Sequence, residues 1–130
     1  MGLVYARAFL RYNIVKAENL LLAEKNETRR DELQRMNIGR VVVTSDPEIK
    51  KSELVILAVK PQDFTDLAPK LDGLIGENTI VLSIMAGITI ARLEKDLNHK
   101  FIIRAMPNSP VEVGMGMTGF SAHPAVSMEQ

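Results

Sequence analysis

The sequence predicts an open, doubly wound, mostly parallel α/β sheet, and three observations carry the prediction. Short apolar runs rich in valine and isoleucine recur along the chain, the clearest being Leu54-Val55-Ile56-Leu57-Ala58-Val59. Runs of this length and composition read as strands buried on both faces of a parallel sheet. Between them lie amphipathic stretches with caps or prolines at their starts, and strand and helix alternate four times with short connections. Such alternation marks crossover-linked parallel strands, whose right-handed connections place helices on both faces.

The chain opens on a helical pattern, with Leu3, Ala6, Leu10 and Ile14 on one face and an end near Tyr12-Asn13. Leu20-Leu21-Leu22-Ala23 follows as a short strand closing on Glu24. Asn26 is placed to cap a charged surface helix over Glu27–Met36. Val41-Val42-Val43 is β-branched throughout and predicts a strand. Ser45-Asp46-Pro47 starts a short helix that runs to about Lys51. After the strand Leu54–Val59, Pro61 suits the first turn of a helix. Phe64, Leu67, Ala68 and Leu71 then recur at i, i+3, i+4, i+7, and Gly73 and Gly76 break the pattern. Thr79–Ser83 is another buried strand, and Thr89 caps a helix that turns Ile90, Leu93 and Leu97 inward. Phe101-Ile102-Ile103 and Met117–Ser121 are the last strands expected.

Composition excludes several classes. Sixteen basic residues balance sixteen acidic ones, so no electrostatic case exists for nucleic acid or an anionic membrane. Cysteine is absent, which removes disulfides and thiol chemistry. His99 and His123 have no neighbour at metal-ligand spacing and read as surface residues, so no metal is expected. The apolar runs are far shorter than a membrane span, and no basic-then-apolar leader opens the chain. A cytoplasmic domain is the expectation.

In a parallel sheet the strand carboxyl ends share one edge, where ligands bind. That edge would gather Glu24, Lys60, the Ala86-Gly87 turn and Asn108. An acidic residue at the position of Glu24 hydrogen-bonds adenine ribose hydroxyls in dinucleotide-binding domains, although it also suits the start of the next helix. Lys25, Arg29 and Arg30 nearby would suit a phosphate instead, which leaves NADP and NAD both open. Lys60 could reach a nucleotide or remain a solvated lysine; Ala86 and Gly87 permit close backbone approach. Asn108 stands between two prolines.

Four stretches in this order resemble the amino-terminal domain of pyrroline-5-carboxylate reductase. They are Val55-Ile56-Leu57-Ala58-Val59-Lys60-Pro61-Gln62, Val81-Leu82-Ser83-Ile84-Met85-Ala86-Gly87-Ile88-Thr89, Arg104-Ala105-Met106-Pro107-Asn108-Ser109-Pro110 and Val113-Gly114-Met115-Gly116. Met85, where the family usually has alanine, and Ser109, where it usually has threonine, are small departures. The resemblance implies a Rossmann-like domain over residues 1–121 and, over 122–130, the start of a linker to a helical domain. It also implies hydride transfer from NADPH or NADH to a small cyclic imine, giving proline, in an enzyme that is a homo-oligomer at full length. By the same resemblance Ala58, Val59, Lys60 and Pro61 line the cofactor cleft beside Ala86 and Gly87. Asn108 matches a position near the nicotinamide and Asp46 one near the adenosine. No catalytic side chain is implied, because the cofactor carries the chemistry.

The family opens with a strand and a glycine-rich phosphate loop of which only Met1-Gly2 would remain. The expectation is therefore a sheet without its first central strand, leaving the strands at Leu20–Ala23 and Leu54–Val59 without a common neighbour, in a fragment inactive alone. A single well-paired sheet of six strands would contradict it. Two alternatives are another imine or hydroxyacid oxidoreductase and a non-catalytic nucleotide-binding or interaction module.

Overall fold

The computed structural model describes residues 2–107 and 118–127. The chain forms two compact units, Met1–Pro47 and Glu48–Gln130.

The first unit contains α1 (Gly2–Arg11), a 3-10 turn at Ala17–Asn19, β1 (Leu21–Ala23), α2 (Glu27–Met36) and β2 (Arg40–Val42). β1 and β2 pair in parallel, with Leu22 opposite Val41. α2 starts where expected because the Asn26 side chain accepts the Arg29 N–H at 2.9 Å, satisfying one free donor of the first turn. It stops at Asn37, whose φ of 53° is left-handed, a conformation asparagine tolerates. Gly39 then lets the chain pass close to the earlier segment. A Cβ there would lie 2.8 Å from the Leu20 carbonyl oxygen, the group that accepts the Arg40 N–H at 2.9 Å.

The second unit follows a 3-10 turn over Pro47–Lys51 and holds β3 (Leu54–Leu57), α3 (Pro61–Lys70), β4 (Ile80–Ser83), α4 (Ile90–Leu97), β5 (Ile102–Pro107) and β6 (Thr118–Ala122). The sheet order is β3-β4-β5-β6; the first three strands are parallel and β6 is antiparallel. Phe64, Ala68 and Leu71 are buried, as the α3 periodicity requires. Thr89 caps α4 by accepting the Arg92 N–H at 3.1 Å, and Leu93 and Leu97 turn inward while Ile90 is only half-buried. Arg92 joins the two helices: its guanidinium lies 5.6 Å from the Phe64 ring centroid and donates to Thr65 Oγ1 at 3.1 Å. Val81, Leu93 and Ile102 are fully buried and, with Phe64, form the centre of this core.

The six strands of the described residues form two sheets. Among the described residues β1 is laddered only to β2 and β3 only to β4, as expected of these two strands. The Glu53 and Leu57 carbonyls accept from Ile80 and Ile84 of the β4 side at 3.0 and 3.1 Å. Since a parallel strand alternates its bonding side, the backbone groups of Leu54 and Ile56 face away from β4.

Several strand boundaries and both histidines depart from expectation. β2 covers Arg40–Val42 rather than Val41–Val43, and β3 ends at Leu57, so Ala58 and Val59 belong to the following turn. β5 begins at Ile102 and runs to Pro107, because an antiparallel partner continues its ladder as far as Pro107 opposite Thr118. The histidines are not simple surface residues. His123 Nδ1 accepts the Ala125 N–H at 3.0 Å, so Nε2 carries the proton and donates to Glu94 Oε2 at 2.9 Å. The His99 Nε2 pairs with the Thr79 carbonyl, and its ring stands edge-on to Phe101.

Candidate functional site

In the first unit the parallel pairing brings the carboxyl ends of β1 and β2 to one edge, where Glu24 and Asp46 follow their strands. Glu24 extends the ladder, its N–H donating to the Val42 carbonyl at 3.0 Å. Its carboxylate is held in direction because Oε1 accepts the Asn26 N–H at 3.1 Å. The basic cluster beside it is largely engaged. Arg30 donates to the carbonyls of Glu24 and Lys25 at 2.9 and 2.8 Å, and Arg29 pairs with Glu32 at 2.9 Å. Arg30 thus fastens the turn after β1 onto α2, which fixes where Glu24 emerges. Lys25 is exposed, and Asp46 is half-buried with its N–H on the Val43 carbonyl at 3.2 Å. Gly2 is the first residue of α1, and Met1 lies outside the described residues.

In the second unit β3 and β4 end side by side, with Leu57 opposite Ser83. Ala58, Val59 and Lys60 therefore leave the sheet next to the turn carrying Ala86 and Gly87. Lys60 is exposed and is the N-cap residue of α3, with extended φ and ψ of −66° and 144° and no capping bond from its side chain. Its carbonyl takes the Asp63 N–H at 2.9 Å, and Pro61 supplies the first helical residue, where no backbone donor is needed. Gly87 has φ of +75°, and a Cβ there would meet nothing within 4 Å. The turn is therefore open on that side, and its glycine serves backbone conformation rather than relieving crowding. Ser83 Oγ accepts the Met85 N–H at 3.3 Å and anchors the start of this turn.

The sequence-derived residues thus fall into two sets, one at the strand ends of each unit. Asn108 lies outside the described residues, two positions beyond Met106 on β5. Arg104 follows the apolar run Phe101-Ile102-Ile103 in sequence, yet it lies inside β5 between β4 and β6. A lone cation following Ile102-Ile103 was the available signal. Among the described residues no group of histidine and carboxylate side chains could hold a metal ion, and no helix is long and apolar enough to cross a membrane.

Comparison with known proteins supplies the family. A pyrroline-5-carboxylate reductase of Synechocystis is 39% identical over 114 residues, covering 87% of this chain and 42% of that protein. The structure of a pyrroline-5-carboxylate reductase from Coxiella burnetii superposes with a TM-score of 0.82 at 25% identity, over 98% of this chain and 47% of that one. A Plasmodium falciparum pyrroline carboxylate reductase with NADP bound shares the fold, with a TM-score of 0.78 at 23% identity over 99% and 47%. The chain spans less than half the length of these relatives and matches their amino-terminal part. The family described as NADP oxidoreductase, coenzyme F420-dependent, matches residues 1–87, and the chain belongs to it.

Proposed function

We propose that the chain is the cofactor-binding part of an NAD(P)H-dependent pyrroline-5-carboxylate reductase. Residues 1–121 would form the dinucleotide-binding domain and 122–130 the start of the connection to a helical part that holds the imine pocket and the oligomer contacts. The observation that carries the reading is the pair of adjacent turns after β3 and β4. Small residues and an unobstructed Gly87 stand there at the carboxyl ends of parallel strands, in the stretches that resemble the reductases.

These residues fit a nicotinamide dinucleotide. Ala58, Val59, Ala86 and Gly87 offer backbone and small side chains against which a flat ring and ribose can lie closely. Lys60 offers a cation to ribose or phosphate oxygens, and Pro61 fixes the direction of the turn that carries it. Glu24, steadied by the Asn26 N–H, accepts from ribose hydroxyls, and Asp46 lies at the neighbouring strand end. Asn108 is assigned to the nicotinamide side on resemblance alone. When bound, the dinucleotide supplies the hydride that reduces the C=N bond of the imine. The chain's own contribution is to hold the ring in one orientation, which lowers the barrier by positioning. The reading places the protein in the cytoplasm.

Titrating the purified chain with NADPH and NADH tests this. Saturable binding of at least one is expected, and binding of neither would overturn the reading in favour of an interaction module. Because Arg29 and Arg30 are engaged within the unit, Glu24 is the group expected to set the preference. Glu24→Gln should shift the NADPH-to-NADH affinity ratio toward NADPH by about tenfold, roughly the effect of one charge–phosphate contact.

A further inference from the structure

We propose that Arg104, flanked by Ser83 and Ser121, is an oxyanion-binding group at the carboxyl-terminal edge of the four-stranded sheet. The register places Leu57, Ser83, Arg104 and Ser121 opposite one another on β3, β4, β5 and β6, hence on one face. Two residues earlier on the same face stand Val81 and Ile102, both fully buried. The row therefore changes from apolar to polar at the last residues of β3 and β4, the edge where α/β sheets bind ligands.

Arg104 is half-buried, and its Nε–H is buried without an acceptor among the described residues. Among the described residues its Nη2 donates only to Met106 Sδ, at 3.7 Å, a weak acceptor. No carboxylate among the described residues pairs with it. A half-buried guanidinium with its inner donor unsatisfied is unusual, since buried polar groups are nearly always paired. Ser83 Oγ is fully buried and accepts from the Met85 N–H, so its own proton is left to donate; Ser121 is exposed on the other side. A planar guanidinium edge between two hydroxyls matches a carboxylate or a phosphate oxygen pair. The inference deepens the reading above and rests on it for the sources of such a group, namely the carboxylate of a cyclic imino acid and the phosphates of the dinucleotide.

The test follows the Arg104 Nε–H resonance of the ¹⁵N-labelled 130-residue chain while pyrrolidine-2-carboxylate, pyrrolidine, inorganic phosphate, NADPH and NADH are added separately. A shift with pyrrolidine-2-carboxylate and none with pyrrolidine supports the site and assigns it to a substrate carboxylate. A shift with phosphate and the dinucleotides alone supports the site and assigns it to the cofactor. Arg104→Lys keeps the charge, loses the fork, and should weaken the effective probe about tenfold, with far-ultraviolet circular dichroism confirming that the chain still folds. The wild-type titration stands even if that variant does not fold. If NADPH binds while no probe moves the resonance, the Arg104 proposal falls and the dinucleotide reading survives. If pyrrolidine-2-carboxylate moves it while neither dinucleotide binds, the reverse holds. A hydrogen bond from this Nε–H to a protein carboxylate in the free chain also overturns it.

Discussion

The two units are built from the same alternation of helix and strand, yet they differ in what holds them together. Among the described residues of Met1–Pro47 the sheet has two strands of three residues, none of which is fully buried, and the buried side chains are Ala6 and Leu33. In Glu48–Gln130 four strands share one sheet, and Phe64, Val81, Leu93 and Ile102 are wholly removed from water. A two-stranded sheet is marginal by itself, whereas a sheet of four strands under two packed helices supports its own core. Both sets of candidate cofactor residues sit at strand ends, but one set is carried on a far better supported frame.

Three measurements would separate the two units, and core truncation should have the largest effect. Phe64→Ala should cost about 3–5 kcal/mol, because it empties a fully packed site and removes the ring under Arg92, whereas Leu33→Ala on the charged helix α2 should cost about 2 kcal/mol. Chemical denaturation would decide, and a larger loss from Leu33→Ala would reverse the ranking of the two units. Native-state hydrogen exchange provides the second check. Amides of Val81 and Ile103 should exchange at least about a hundredfold more slowly than those of Leu22 and Val42, as expected if the smaller unit opens below the global limit. Equal protection would show that the units unfold together. Helix caps provide the finest comparison. Thr89→Ala and Asn26→Ala each remove one bond to a first-turn N–H and should each cost about 1 kcal/mol. Only Thr89→Ala should lower the main thermal transition, since α4 lies over the larger core.

Where local chemistry decides structure, the sequence was readable. Pro61 and the spacing of Phe64, Ala68 and Leu71 specify α3, and Asn26 and Thr89 specify the starts of α2 and α4. Distant partners were not readable. β5 outlasts its apolar run because β6, which pairs Thr118 with Pro107, keeps the ladder going. His123 finds Glu94 29 residues away and His99 finds Thr79 20 residues away, so a local search for ligand spacing treats both as surface histidines. The candidate site shows the same division. Alternation of strands and helices was enough to bring the ends of β3 and β4, which precede Lys60 and Ala86, to one edge. The polar row through Ser83, Arg104 and Ser121 required a register that no single stretch contains.

The strand order of the larger unit has a kinetic consequence. Its four strands are neighbours in space in the order in which they occur along the chain, and each parallel pairing is closed by one crossover through a single helix. Loop closure for each parallel step therefore spans one helix-containing crossover and no more. A chain emerging in sequence can add β4 to β3, β5 to β4 and β6 to β5 without threading a strand between two already paired. Folding of this unit should then proceed from one side to the other, and low protein concentration during refolding should favour the native sheet over strand pairing between molecules.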